Sequence, residues 1–104
     1  MSIKDGVTAR EFLEKYLGGP LTFSDLLEST RLGEEMSQVA FAKKLKISRS
    51  HLNDIEKGRK VVSPGRAARF AKILGYSEVV WVKLALQAML DKEKLKFKVS
   101  VEAA

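Results

Sequence analysis

Between positions 48 and 54 the chain sets two hydroxyls (Ser48, Ser50), a guanidinium (Arg49), an imidazole (His51), an amide (Asn53) and a carboxylate (Asp54). Three chemistries could use such a set. Hydroxyl, imidazole and carboxylate are the parts of a nucleophilic triad, but these all come from one short helical stretch. A single helix cannot gather nucleophile, base and oxyanion donors into one concave site. A metal centre would need more ligands, since His51 is the one histidine and there are no cysteines. The third chemistry is hydrogen bonding to groups outside the chain. Arg49 suits the O6/N7 edge of guanine, Asn53 suits adenine or a phosphate, and Asp54 can accept from a cytosine amino group or hold Arg49 in position. The expectation is therefore no catalytic residue, no metal, no cofactor and no enzymatic activity.

The charge supports the third chemistry once it is located. The net charge of the 104 residues is +6. Residues 38–72 hold ten bases against two acids (Asp54, Glu56), a net of +8, while residues 1–37 hold four bases against seven acids, a net of −3. Basic charge is a regional feature, as a polyanion-binding surface requires. With 45% hydrophobic and 31% charged residues, the composition is that of one ordinary globular domain. The absence of cysteine is compatible with a reducing compartment. No apolar run approaches the roughly 20 residues that span a bilayer, and residues 1–10 lack the apolar core of a secretion signal. These features predict cytoplasmic residence and no membrane partner.

The elements that must position these groups are almost all helical. Thr8 with Glu11 reads as a capping box for a first helix, with Phe12, Leu13, Tyr16 and Leu17 as its apolar stripe and Gly18, Gly19 and Pro20 as its stop. A second helix starts near Thr22, carries Phe23, Leu26, Leu27 and Thr30 on one side, and runs to about Leu32 or Gly33. Ser37 caps a short helix over 38–45, and Ser48 caps another over 49–57, closed by Gly58. Residues 59–62 form a basic loop. Ser63 then caps a helix that opens on Pro64 and stops at Gly75. Ser77 starts the last helix, with Val80, Trp81, Leu84, Ala85, Ala88 and Met89 as its stripe; Phe70, Tyr76 and Trp81 read as core rather than stacking platforms. In the tail, Leu95, Phe97, Val99 and Val101 alternate with Lys96, Lys98 and Ser100, a half-buried strand pattern. One strand cannot satisfy its own backbone, so pairing with the same strand of another copy is the economical expectation.

Helices as short as 38–45 and 49–57 are marginal alone and must pack on each other. Phe41, Ala42 and Leu45 form the inward face of the first. Leu52 and Ile55 form that of the second, and Ile47 fills the corner. Ala42 is small where the axes approach, an arrangement that reads as a helix-turn-helix. Arg49, Ser50, Asn53 and Asp54 then face outward.

The stretch strongly resembles the Cro/phage-repressor-like helix-turn-helix family, also called the xenobiotic-response-element type. The resemblance is carried by Ser37-Gln38, Phe41-Ala42-Lys43-Lys44-Leu45, Ile47-Ser48-Arg49-Ser50 and Ile55-Glu56-Lys57-Gly58, and extends through Ser63 and Phe70-Ala71-Lys72-Ile73-Leu74-Gly75. It covers about residues 22–76. It implies an all-α, five-helix, lambda-repressor-like domain whose second motif helix lies in the major groove of DNA. Lys46 departs from the family, which usually has glycine in the turn. Pro64 is a smaller departure.

The organisation expected is an N-terminal helical extension (1–21), a helix-turn-helix DNA-binding domain (22–91) and a dimerising C-terminal strand (92–104). Arg49, Ser50, Asn53 and Asp54 are the expected base-edge residues. Gln38, Ser48, Lys43, Lys57, Arg59 and Lys60 are the expected phosphate contacts. The function expected is a sequence-specific double-stranded-DNA-binding transcriptional regulator, a repressor acting as a homodimer. The alternative is an antitoxin of a type II toxin–antitoxin pair, which such small single-domain proteins resemble and which would bind a toxin protein as well as its own operator. A third, weaker expectation is architectural DNA binding without sequence preference.

Overall fold

A computed structural model describes residues 21–104 of the chain. Five helices follow one another: α1 (Phe23–Gly33), α2 (Gln38–Leu45), α3 (Arg49–Glu56), α4 (Pro64–Leu74) and α5 (Glu78–Lys92). The extra N-terminal helix expected over 8–17 lies outside the described residues.

Local chemistry sets each start. The Thr22 hydroxyl accepts from the Asp25 N–H at 3.1 Å while the Asp25 carboxylate accepts from the Thr22 N–H at 3.1 Å, a complete capping box. Ser37, Ser48 and Ser63 cap α2, α3 and α4 through the N–H groups of Ala40, His51 and Arg66. Ser77 precedes α5 without a side-chain cap.

The helix ends share one device. Each is followed by a residue in the left-handed region, at Glu35, Lys46, Gly58, Gly75 and Lys94. In each case the next N–H reaches back to a carbonyl of the last turn: Met36 to Arg31, Ile47 to Ala42, Arg59 to Asp54, Tyr76 to Ala71 and Leu95 to Leu90. Three of these positions are not glycine. Lys46, at φ 60° and ψ 41°, holds the turn conformation that the family's glycine would hold. Its Cβ crowds the backbone there. Lys46→Gly is expected to stabilise the domain by about 0.5–1 kcal/mol in urea unfolding, the relief being partly offset by glycine's freer unfolded chain. A destabilised variant would contradict this reading of the turn.

The core gathers Phe23 and Leu27 of α1, Phe41, Ala42 and Leu45 of α2, Leu52 and Ile55 of α3, Ala67, Phe70 and Ala71 of α4, and Trp81, Leu84 and Ala85 of α5. Ile47 packs against this cluster from the turn. The inward set read from spacing is the observed one. Phe23 meets Trp81 edge-on with ring centroids 5.8 Å apart. Tyr76 corrects the sequence reading: it stacks on Trp81 at 6.0 Å but is 48% exposed, a cover on the core rather than part of it.

A second correction concerns the tail. No strand is present among the described residues, none of which offers 95–101 a partner backbone. The stretch is held instead by one side chain of α5. The Gln87 amide donates to the Phe97 carbonyl at 2.8 Å and accepts from the Val99 N–H at 2.9 Å.

Candidate nucleic-acid interface

The helix-turn-helix is α2, the turn 46–48 and α3. Leu52 and Ile55 are wholly buried, while Arg49 and Ser50, at the start of the same helix, are exposed. The spacing that turns Leu52 and Ile55 inward also turns Glu56 inward. Its side chain is fully enclosed.

Arg31 of α1 balances that buried acid. Its Nε donates to Glu56 Oε2 at 2.8 Å and its Nη2 to Glu56 Oε1 at 3.0 Å, a two-pronged pair, while Nη1 donates to the Met36 carbonyl at 3.1 Å. The hydrogen bond to Glu56 holds the Arg31 guanidinium above its ordinary pKa, against the opposing effect of burial, so it stays charged at any pH a protein survives. Gln38, the first residue of α2, completes the network. Its Nε2 donates to Glu56 Oε1 at 3.1 Å and to Asn53 Oδ1 at 3.1 Å. The carboxylate can only accept, which identifies the Gln38 atom facing it as nitrogen and the Asn53 atom facing that nitrogen as oxygen. Three helices and the α1–α2 loop are thereby tied to the base of the outward face.

Sequence reasoning missed Arg31 and Glu56. The signal was present, since Leu52, Ile55 and Glu56 share one helical row, as do Phe23, Leu27 and Arg31. An acid on an inward row requires a buried cation opposite it.

The expected site residues divide by what they still offer outward. Arg49 and Ser50 are exposed on α3. Asn53 is half-buried, with its oxygen engaged by Gln38, so its amide hydrogens are what it presents. Asp54 does not hold Arg49; its carboxylate accepts from Arg59 Nε at 2.9 Å, and its carbonyl accepts from the Arg59 and Lys60 N–H groups at 2.8 and 3.2 Å. The loop after α3 is therefore folded back onto the end of the helix, and its cations stand beside the outward face. Gln38 has both amide hydrogens engaged inside the chain, which leaves its backbone N–H at the start of α2 as its outward donor. Ser48 Oγ accepts from the His51 N–H at 3.0 Å, leaving its hydroxyl hydrogen. Lys43 on α2, and Lys57, Arg59 and Lys60 after α3, are exposed.

His51 lies against α4. Arg66 Nη1 of α4 lies 3.4 Å from His51 Nε2. The pair ties α3 to α4. Among the described residues no group of acids and histidines is arranged to hold a metal ion, and no helix is long and apolar enough to cross a membrane.

Comparison with known proteins agrees with this geometry. A family model described as Helix-turn-helix matches residues 27–81, just over half of the chain. No curated protein and no solved structure gives a match.

Proposed function

The chain belongs to the helix-turn-helix family of the Cro/phage-repressor type, and from that premise we propose that this DNA-binding transcriptional regulator is a sequence-specific homodimeric repressor that lays α3 in the major groove of its operator. The supporting observation is the outward face of α3. Arg49 and Ser50 are exposed on a helix whose inner side is anchored by Leu52, Ile55 and the buried Arg31–Glu56–Gln38 network. A side chain that reads base edges needs such a rigid base, because a misplaced donor loses its hydrogen bond.

Arg49 donates to guanine O6 and N7, with Ser50 beside it. Asn53 supplies amide hydrogens to a base or phosphate acceptor. Asp54 accepts from a cytosine amino group through the carboxylate oxygen that Arg59 does not use. The N–H groups at the starts of α2 and α3 (Gln38, Ser48), with Lys43, Lys57, Arg59 and Lys60, grip phosphates on either side. Two copies related by a two-fold axis would read half-sites about one helical turn apart.

Cations that touch only phosphate test this division of labour. Lys60→Ala is expected to weaken operator and scrambled DNA by the same factor and to flatten the salt dependence of log K by about one unit of slope. Equal salt slopes for variant and parent would remove Lys60 from the interface. A scrambled duplex bound as tightly as the operator at physiological salt would replace sequence-specific reading with architectural binding.

A further inference from the structure

We infer that residues 96–102 pair antiparallel with the same residues of a second copy, about a two-fold axis through Val99, along the backbone edge that Gln87 leaves open. This rests on the homodimer reading above and adds the register, the edge and the residue that sets them.

The edge follows from Gln87. Its amide bonds the Phe97 carbonyl and the Val99 N–H, the two groups that a neighbouring strand residue would bond on either side of Lys98. Backbone groups of successive residues point to opposite edges of an extended chain. The side chain therefore occupies the edge of Phe97 and Val99 and holds the stretch extended, presenting the edge of Lys98 and Ser100. The same amide is steadied by Asp91, which accepts from Gln87 Nε2 at 2.9 Å. A hydrogen bond from the Phe97 N–H to the Leu95 carbonyl at 3.0 Å makes a tight turn at Lys96, where the extended run begins.

The register follows from side-chain types. With the axis through Val99, Lys98 faces Ser100 of the partner subunit and Lys96 faces Glu102 of the partner subunit, so the Lys96–Glu102 pair, made twice by the two-fold, joins opposite charges. Phe97 faces Val101 of the partner subunit, and Val99 faces itself, all on the apolar face. These pairings also place the hydrogen-bonded pairs at Lys98 and Ser100, on the edge that Gln87 leaves open. Moving the axis to Phe97 would set Lys96 against Lys98 and Val101 against Glu93. A parallel pairing would stack each lysine on its own copy. Like charges directly opposite destabilise a pair of strands, so both alternatives are disfavoured. The apolar face needs such a cover: Phe97 is 65% exposed and Leu95 42% exposed in the single chain, while Val99 and Val101 are half-buried.

The chain has no cysteine, so an introduced thiol reports without interference. In the full-length protein under mild oxidation, Val99→Cys is expected to give a disulfide-linked dimer, because facing residues of a non-hydrogen-bonded pair have the Cα separation a disulfide needs. Phe97→Cys and Val101→Cys are each expected to stay unlinked alone and to link when mixed. Self-linking of either would overturn the register. Lys96→Glu and Glu102→Lys are each expected to raise the dimer dissociation constant roughly tenfold, and the double swap to restore it. A double swap no better than the single changes would overturn the Lys96–Glu102 pairing. Gln87→Ala is expected to weaken the dimer and lower the Val99→Cys yield with helix content unchanged; an unaltered yield would remove Gln87 as the positioning residue. Light scattering of the parent separates the two levels. A dimer in which none of the thiols link would overturn this inference alone, whereas a monomer at about 100 times the concentration used for DNA binding would overturn the homodimer reading itself.

Discussion

Glu56→Ala is expected to destabilise the domain by about 3–5 kcal/mol, the cost of leaving one member of a buried ion pair without its partner. The magnitude follows from what the substitution strands. Arg31 loses both prongs of its pair at 2.8 and 3.0 Å, and its side chain is only 12% exposed, so water cannot replace them freely. Gln38 loses one of its two acceptors. Against a typical domain stability of about 5–15 kcal/mol this is a large fraction, and urea unfolding reads it directly. Glu56→Gln keeps a hydrogen-bond acceptor for Arg31 and is expected to fall between parent and alanine variant. Replacing both partners, as in Arg31→Met with Glu56→Leu, is expected to recover much of the loss, because no unpaired charge is then buried. A Glu56→Ala loss below about 1 kcal/mol would mean that water reaches the pair and that it behaves as a surface contact.

Arg49→Ala is the second large effect, and it falls on discrimination rather than folding. Arg49 is exposed at the first position of α3, so its removal leaves the core intact. A two-pronged contact to guanine contributes about 1–3 kcal/mol of preference over the wrong base. The variant is expected to lose that preference at one position of each half-site, roughly 5- to 150-fold in the ratio of operator to mutated-operator affinity. Its binding to scrambled DNA is expected to change far less. The contrast with Lys60→Ala, which weakens both DNAs alike, separates base reading from phosphate grip. An Arg49→Ala chain that keeps its full preference would move the base-reading role elsewhere on α3.

What was legible in the sequence was local or periodic. Ser37, Ser48 and Ser63 could be named as caps because a hydroxyl satisfies an N–H three residues ahead, within the same segment. The inward rows of α2 and α3 could be named because helical spacing alone decides them. Two kinds of feature escaped. Glu35 and Lys94 adopt the left-handed turn that glycine advertises at Gly58 and Gly75, but their residue types carry no such sign. Arg31–Glu56 needed the assumption that charged residues point outward to be set aside, although the periodicity placed both inward. The site shifted for a related reason. Taken singly, Gln38 and Asn53 have the residue types of outward donors, whereas their mutual bond joins residues fifteen apart in sequence. The partner of Asp54 likewise depended on how the loop folds back, which brings Arg59 rather than Arg49 to its carboxylate. The tail's alternation was legible, but a ladder needs a second backbone, and within one chain Gln87 takes that place.

The central claim is that the outward face of α3 reads base sequence in double-stranded DNA. Selection of the full-length chain against a random duplex library tests it most directly. The expected result is enrichment of a two-fold-symmetric motif with half-sites roughly 34 Å apart, containing a guanine at the position that loses its preference in Arg49→Ala. Recovery of duplexes with no common motif, at the affinity shown for scrambled DNA, would contradict it.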